Sequence, residues 1–167
     1  MERSKKRNLS FNIRHNNCYP KELYMFDGDG ILFDQNGNPV AWLETKFGDM
    51  GNEPIDLNTY QVLCFRNSCK LAKGTIPLFL VYYYTFDKNM QRLQSDDNDK
   101  ECTYAQYFIV AGNEEAKTWF PEPTELTERQ YVEFEFKLRG YLASYYHHKI
   151  QQFSDVLMKK VMLPYLP

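Results

Sequence analysis

The sequence predicts an α/β (α+β) fold in which flanking helices cover a central mixed sheet of about four or more strands. Two apolar runs flank Asn36-Gly37, which is the strongest short signal for a β-hairpin. Residues 76–86 form a continuous apolar and aromatic run, which is typical of a strand buried on both faces. Residues 131–145 repeat apolar side chains at helical spacing, which indicates a helix packed along one face.

Composition limits the class of protein. A chain of 167 residues favours a single domain, 1–167, and we expect a core over about 9–112 with a C-terminal helical extension over about 113–167. The 43% hydrophobic content excludes a disordered chain. No apolar run approaches a membrane span, and the basic N-terminus lacks the apolar segment of a secretory signal. The four cysteines show no C-x-x-C spacing, so we expect reduced thiols, a cytoplasmic location and no membrane partner.

The first two-thirds of the chain alternates strands and a helix. In order, we expect strands over 23–34 and 39–47, a helix over 57–72, and strands over 76–86 and 103–111. Asp56 is a suitable N-cap for the helix, Gly74 ends it, and the polar segment 87–102 is expected to be a loop.

The last third is expected to be helical. Thr127 and Gln130 match a capping box, which predicts that a helix begins there. The helical spacing of apolar residues then continues to Tyr145, and the apolar residues from Ile150 onward either extend this helix or belong to a second one.

The hairpin register brings charged residues together. If the loop has two residues, facing positions sum to 73, so Asp29 lies opposite Glu44 and Asp27 lies opposite Lys46. All four then share one face, because side chains alternate along a strand. A three-residue loop would shift the register by one and separate Asp29 from Glu44.

Carboxylates that lie so close together repel each other unless a cation lies between them. Carboxylate oxygens suit Mg²⁺, which one or two carboxylates commonly bind. The pattern therefore predicts a metal site formed by Asp29 and Glu44, with Asp27 nearby and the Lys46 ammonium beside it.

The net charge of the chain does not favour a nucleic-acid partner, but the distribution of charge along it does. The overall charge is −2, yet residues 1–24 and 137–167 each carry a net +4, which leaves the middle near −10. Basic ends around an acidic centre suit a metal site flanked by surface that binds phosphate. The alternative is that these charges are simply solvated.

An Asp on one strand, Glu44-x-Lys46 on the next, a helix carrying Gln61 and then an apolar strand resemble the PD-(D/E)XK nuclease superfamily, which has a restriction-endonuclease-like fold. The resemblance covers about residues 23–111. Gly28 precedes Asp29 where the family's name has proline, and the additional upstream Glu of many members has no counterpart beyond Glu2 and Glu22.

The resemblance implies a Mg²⁺- or Mn²⁺-dependent nuclease, with DNA favoured over RNA as substrate and an endonuclease as the mode of action. Asp29 and Glu44 would hold the metal, and Asp27 would be a further ligand or a supporting group. Lys46 would assist water attack, and Gln61 would be an auxiliary polar residue. A homodimer would suit cleavage of both strands of a duplex.

Two other functions remain open. A nuclease-like fold could act as a binding or inhibitory module with weak or lost catalysis, which the missing upstream Glu favours. The segment FDGDGILFD also resembles the first motif of haloacid-dehalogenase-type phosphatases, in which Asp27 would be the nucleophile and Asp29 the general acid. Ile31 replaces that family's Thr, and Glu44 and Lys46 would have no role.

Overall fold

The computed structural model describes residues 30–48, 60–71, 73–94, 97 and 100–159, with side chains to residue 151. It confirms the predicted mixture of sheet and flanking helices. The strands are β1 Gly30–Phe33, β2 Pro39–Phe47, β3 Lys70–Leu71, β4 Gly74–Thr75, β5 Leu78–Phe86, β6 Tyr104–Ala111 and β7 Thr124–Thr127. The helices are α1 Tyr60–Ser68, α2 Glu114–Lys117, α3 Glu128–Leu138 and α4 Ala143–Lys159.

The main sheet has five strands in the order β1-β2-β5-β6-β7. β2 and β5 run parallel, whereas the other neighbouring strands in this sheet run antiparallel. A parallel pair needs a crossover connection, and here α1 and the small β3–β4 hairpin lie between the two strands in the chain. β2 and β5 are therefore central strands, which agrees with their apolar sequences.

The register of the first hairpin is the predicted one, but its loop is not. Gly30 pairs with Leu43 and Leu32 pairs with Ala41, so these positions sum to 73 as expected. The loop has three residues instead of two, because Asp34 N donates to Asn38 O and Phe33 pairs with Pro39. An irregularity between Leu32 and Phe33 restores the register that the longer loop displaces.

Asp34 explains the three-residue loop. Its Oδ1 accepts hydrogen bonds from the backbone N–H groups of Asn36 and Asn38, each at 2.8 Å. The side-chain hydrogen bond from Asn38 leads the interactions that lower the pKa of Asp34. Gly37 takes the left-handed conformation with φ 77°, which completes the loop. The two-residue prediction rested on Asn36-Gly37 alone and left out the Asp34 carboxylate two residues earlier.

The sheet buries apolar side chains on both faces. One face packs against α3 and α4 and contains Leu43, Phe79 and Tyr107. The other face packs against α1 and contains Leu78 and Leu80, with Trp42 at its margin. Because helices cover both faces, each side chain of β2 points either toward α1 or toward α3 and α4. This fixes where the charged residues of β2 lie.

The first helix ends earlier than predicted. It ends at Ser68 instead of near residue 72, because Lys70–Leu71 pairs with Gly74–Thr75 as a hairpin. Val62 is its buried residue, whereas Tyr60 is 83% exposed. The expected N-cap, Asp56, lies outside the described residues.

In the C-terminal region the capping box is confirmed, and helix α3 ends earlier than predicted. The Thr127 side chain accepts from Gln130 N, and the Gln130 side chain accepts from Thr127 N. Gly140, with φ 73°, separates α3 from α4, so the helical spacing does not continue unbroken to Tyr145. This region also contributes β7, the fifth strand of the sheet. Within the described ranges, no helix is long and apolar enough to cross a membrane.

Candidate functional site

Strand β2 places Glu44 and Lys46 on the α1 side of the sheet. Ala41, Leu43 and Phe47 belong to the core on the opposite face, and side chains alternate along the strand. Glu44 is only 5% exposed, whereas Lys46 is half-buried. The structure thus confirms that the two charged residues share one face of a central strand.

Gln61 is the third predicted site residue in the described part of the chain, and it reaches Glu44. Its Nε2 donates to Glu44 Oε1 across 3.1 Å, which joins α1 to β2. One helical turn later, Phe65 packs against Trp42 with ring centroids 5.4 Å apart. The helix is therefore fixed on the strand by one polar and one aromatic contact. A buried carboxylate needs such partners, because leaving it unpaired is costly.

Lys46 has an available positive charge. In the parallel register it lies beside Tyr82, just as Glu44 lies beside Leu80. Among the residues that the structure describes, no carboxylate lies within ion-pair distance of the Lys46 ammonium. A lysine that is half-buried and unpaired can direct its charge to a bound anion.

The other two predicted metal ligands cannot be placed. Asp27 and Asp29 lie outside the described residues, so Glu44 is the one predicted ligand whose position is described. The register of 73 extends to Gly30, the first described residue, and is the register under which residue 29 would face Glu44. Within the described ranges, no three His, Cys, Asp or Glu side chains are grouped closely enough to hold a metal ion.

The donor atoms of the described site residues suit a hard divalent cation. Glu44 supplies carboxylate oxygens, and the Gln61 amide orients one of them. Oxygen ligands of this type are those that Mg²⁺ and Mn²⁺ prefer. Glu44 alone is an incomplete ligand set, so the fit depends on further oxygens from outside the described residues.

The structure also brings together polar residues that the sequence argument missed. Glu135 on α3 is fully buried, and within the described ranges neither of its carboxylate oxygens has a hydrogen-bond partner. Arg139 Nη2 lies 3.8 Å from its Oε2. Burial raises the pKa of Glu135 to about 7, although the positive charge of Arg139 opposes this. The signal was present, since Glu135 follows Tyr131 by four residues and so lies on the same inward face of the helix.

A second missed group lies farther along the α1 side of the sheet. Tyr84 and Phe86 follow Tyr82 at alternate positions of β5, so they share the face that carries Lys46. They line a cleft of about 170 Å³ together with Arg92, Gln106, Tyr107 and Glu125. Arg92 comes from the loop after β5 and Glu125 from β7, so sequence spacing alone could not bring them together.

In comparisons with known proteins, no protein-family model, no curated protein and no solved structure matches this chain. The resemblance to the PD-(D/E)XK superfamily, the single-domain division and the metal site therefore stay predictions.

Proposed function

We propose that this protein is a metal-dependent nuclease, and that DNA is its substrate. The observation that carries the proposal is the buried carboxylate of Glu44, held by Gln61 on the same strand face as Lys46, which forms no ion pair with a carboxylate in the described part of the chain. An anchored carboxylate beside an ammonium group is suited to placing a cation and a second positive charge against one phosphate group.

Glu44 would hold Mg²⁺ or Mn²⁺ together with Asp29, and Asp27 would supply a further oxygen or support the other two. The metal would supply a bound water of lowered pKa and would neutralise charge that develops on the phosphate. Gln61 keeps the Glu44 carboxylate in one orientation through its amide. The proposed mode of action is that of an endonuclease. A homodimer would suit cleavage of both strands of a duplex.

Lys46 has a role of its own in this arrangement. Its charge is not neutralised by any carboxylate in the described part of the chain, so it is available to a phosphate oxygen or to an attacking water. Phosphodiester hydrolysis builds negative charge on the phosphate oxygens, and a positioned cation stabilises that charge more strongly where water is excluded. Lys46 is half-buried on β2 beside Tyr82, so access of water to it is reduced.

The test is cleavage of plasmid and single-stranded DNA with Mg²⁺ or Mn²⁺ by the wild type and by the Glu44→Gln and Lys46→Ala variants. Lys88→Ala is the matched control, because Lys88 is an exposed lysine in the turn after β5. We expect both site variants to lose at least about a hundredfold in rate, as removal of one transition-state donor commonly does, while the control keeps its rate.

Thermal unfolding without metal separates lost chemistry from lost folding. Glu44→Gln keeps the shape of the side chain, so we expect its unfolding temperature to stay close to that of the wild type. Cleavage that persists unchanged in both site variants contradicts the proposed site. A well-folded wild type that cuts no nucleic acid contradicts the nuclease and favours the binding module.

A further inference from the structure

The cleft beside Lys46 has aromatic walls and charges that are not neutralised. Tyr84 and Phe86 form one side, and Glu125 on β7 lies on another. Among the described residues, no carboxylate forms an ion pair with Arg92 and no cation forms one with Glu125. The cleft therefore presents a positive group and a negative group that do not neutralise each other.

Arg92 is held in place but retains an unused donor. Its Cζ lies 4.3 Å from the centroid of the Tyr84 ring, and its Nη2 donates to Gly48 O across 3.0 Å. Its Nε is buried and has no hydrogen-bond partner among the residues that the structure describes. A buried N–H without a partner is unfavourable, and a small shift of the side chain on binding a ligand acceptor would satisfy it.

Glu125 and Gln106 provide the complementary edge. Gln106 Nε2 lies 3.5 Å from Glu125 Oε2, at the limit of a hydrogen bond. Side by side they offer carboxylate acceptors next to an amide that can donate or accept. A ligand that fits this pair presents adjacent N–H donors, with an acceptor beside them.

The size of the cleft limits the ligand. At about 170 Å³ it is smaller than pockets for drug-sized molecules, which begin near 300 Å³. A single planar base, inserted against aromatic side chains, is a ligand of the required size and shape. Guanine has adjacent N–H donors and a neighbouring carbonyl acceptor on one edge, which matches Glu125 and Gln106.

We propose that the cleft formed by Tyr84, Phe86, Arg92, Gln106 and Glu125 binds one unstacked base of a single-stranded nucleic acid, with guanine favoured. Glu125 accepts from the N–H groups of the base, and Gln106 or Arg92 donates to its carbonyl oxygen. A base inside a duplex cannot enter such a cleft, so the bound strand is single or locally unpaired.

The cleft lies next to the proposed nuclease site. The inference that the cleft influences the position of cleavage rests on that proposed function. Tyr84 lies two residues beyond Tyr82 on β5, which is about 7 Å along the strand. Lys46 pairs with Tyr82, so the cleft and Lys46 are neighbours on one face of the sheet. One strand of nucleic acid can therefore contact both, and the base in the cleft would influence where the strand is cut.

The test is fluorescence anisotropy with short labelled oligo(dT) strands in EDTA, which prevents cleavage. Each strand carries dG, dA, dC or dT at one central position. We expect the dG strand to bind the wild type about tenfold more tightly than the all-dT strand, since one good bidentate base contact has an effect of this size. Glu125→Ala and Gln106→Ala are expected to remove this preference while binding of oligo(dT) persists.

Glu122→Ala is the matched control, because Glu122 is an exposed glutamate in the turn that precedes β7. It is expected to keep the preference for dG. Equal binding of all four strands, no binding of any strand, or a preference that survives Glu125→Ala overturns the proposal. Free guanosine monophosphate that binds as tightly as the dG strand also overturns it, since the ligand would then be a free nucleotide.

The outcomes separate the two proposals. A protein that cuts DNA in a Glu44-dependent way but shows no preference for dG refutes the base-binding cleft and leaves the nuclease. A preference for dG in a protein that cuts nothing refutes the nuclease and leaves the cleft.

Discussion

Gln61 Nε2 donates a hydrogen bond to Glu44 Oε1 across 3.1 Å, and this contact joins helix α1 to the central strand β2. Glu44 is 5% exposed, so its carboxylate has few solvent contacts and depends on partners within the protein. Gln61 itself lies at the exposed edge of the helix. A surface residue thus orients a buried acidic group, which is the arrangement expected of a positioning residue.

Replacement of Gln61 is expected to lower both the cleavage rate and the stability. Gln61→Ala removes the hydrogen bond that orients Glu44, and we expect the rate of DNA cleavage to fall about tenfold, in line with the typical strength of a hydrogen bond to a charged group. The free energy of unfolding is expected to fall by about 1–3 kcal/mol as well, because the buried Glu44 carboxylate loses a hydrogen-bond partner. Initial rates and urea unfolding measure the two effects.

Cys64→Ser is the control for Gln61→Ala, since Cys64 is exposed on the same helix. It is expected to leave the cleavage rate unchanged. An equal rate for Gln61→Ala and the wild type would show that Glu44 needs no help from α1.

Gly48 ends the second strand against an aromatic ring. A Cβ atom there would lie 2.3 Å from Cε1 of Tyr84, and the Arg92 guanidinium packs over the same ring. Gly48→Ala is therefore expected to reduce the free energy of unfolding by about 1–3 kcal/mol, the usual cost of overpacking. Urea unfolding measures it.

Gly37→Asn is the comparison for Gly48→Ala. Gly37 has open space around it at φ 77°, and asparagine tolerates this conformation better than other residues. It is expected to lose less stability than Gly48→Ala, and the reverse order would contradict the close contact with Tyr84.

Glu135 makes stability depend on pH. Its folded pKa of about 7 lies above the ordinary value of 4.5, so between these pH values the folded state holds a proton that the unfolded state has lost. Stability therefore decreases as pH rises through this window, by up to about 3 kcal/mol. Glu135→Gln removes the ionisation, and we expect the variant to lose much less stability than the wild type between pH 5 and pH 8.

Glu133 on the same helix tests the sign of this effect. Burial acts to raise the pKa of Glu133, but the hydrogen bond and charge of Lys137, 3.1 Å away, lower it. Its contribution to stability is present above the ordinary pKa of 4.5 and is lost as pH falls through the lowered value. Glu133→Gln should keep the decline between pH 5 and pH 8 seen in the wild type. If Glu135→Gln loses as much stability as the wild type between pH 5 and pH 8, the decline is caused by another group.

The sequence was sufficient to predict the parts of the fold that depend on local patterns. Strand β2 matches its predicted bounds at residues 39–47, and the capping box at Thr127 is present. The loop length was wrong because Asp34 forms hydrogen bonds that a turn motif does not report. Strand β7 was missed because its four residues are stabilised by pairing with β6, from which helix α2 separates it in the chain.

For the site, strand alternation predicted that Glu44 and Lys46 share one face of β2. Gln61 was named only through the family resemblance, and its contact with Glu44 was not predicted. The cleft could not be predicted in the same way. Arg92 reaches it from a loop that follows β5, and Glu125 comes from the missed strand β7. Such a group is brought together by the tertiary fold and leaves no spacing in the sequence.

Glu44 is proposed to hold a catalytic metal beside Lys46. The most direct measurement is the initial rate of DNA cleavage as Mn²⁺ is raised from zero, for the wild type and for Glu44→Gln at equal folded concentration. We expect a rate that rises from zero to a plateau in the wild type, and no cleavage at any Mn²⁺ concentration in Glu44→Gln. The same Mn²⁺ dependence and plateau in both proteins would contradict the claim.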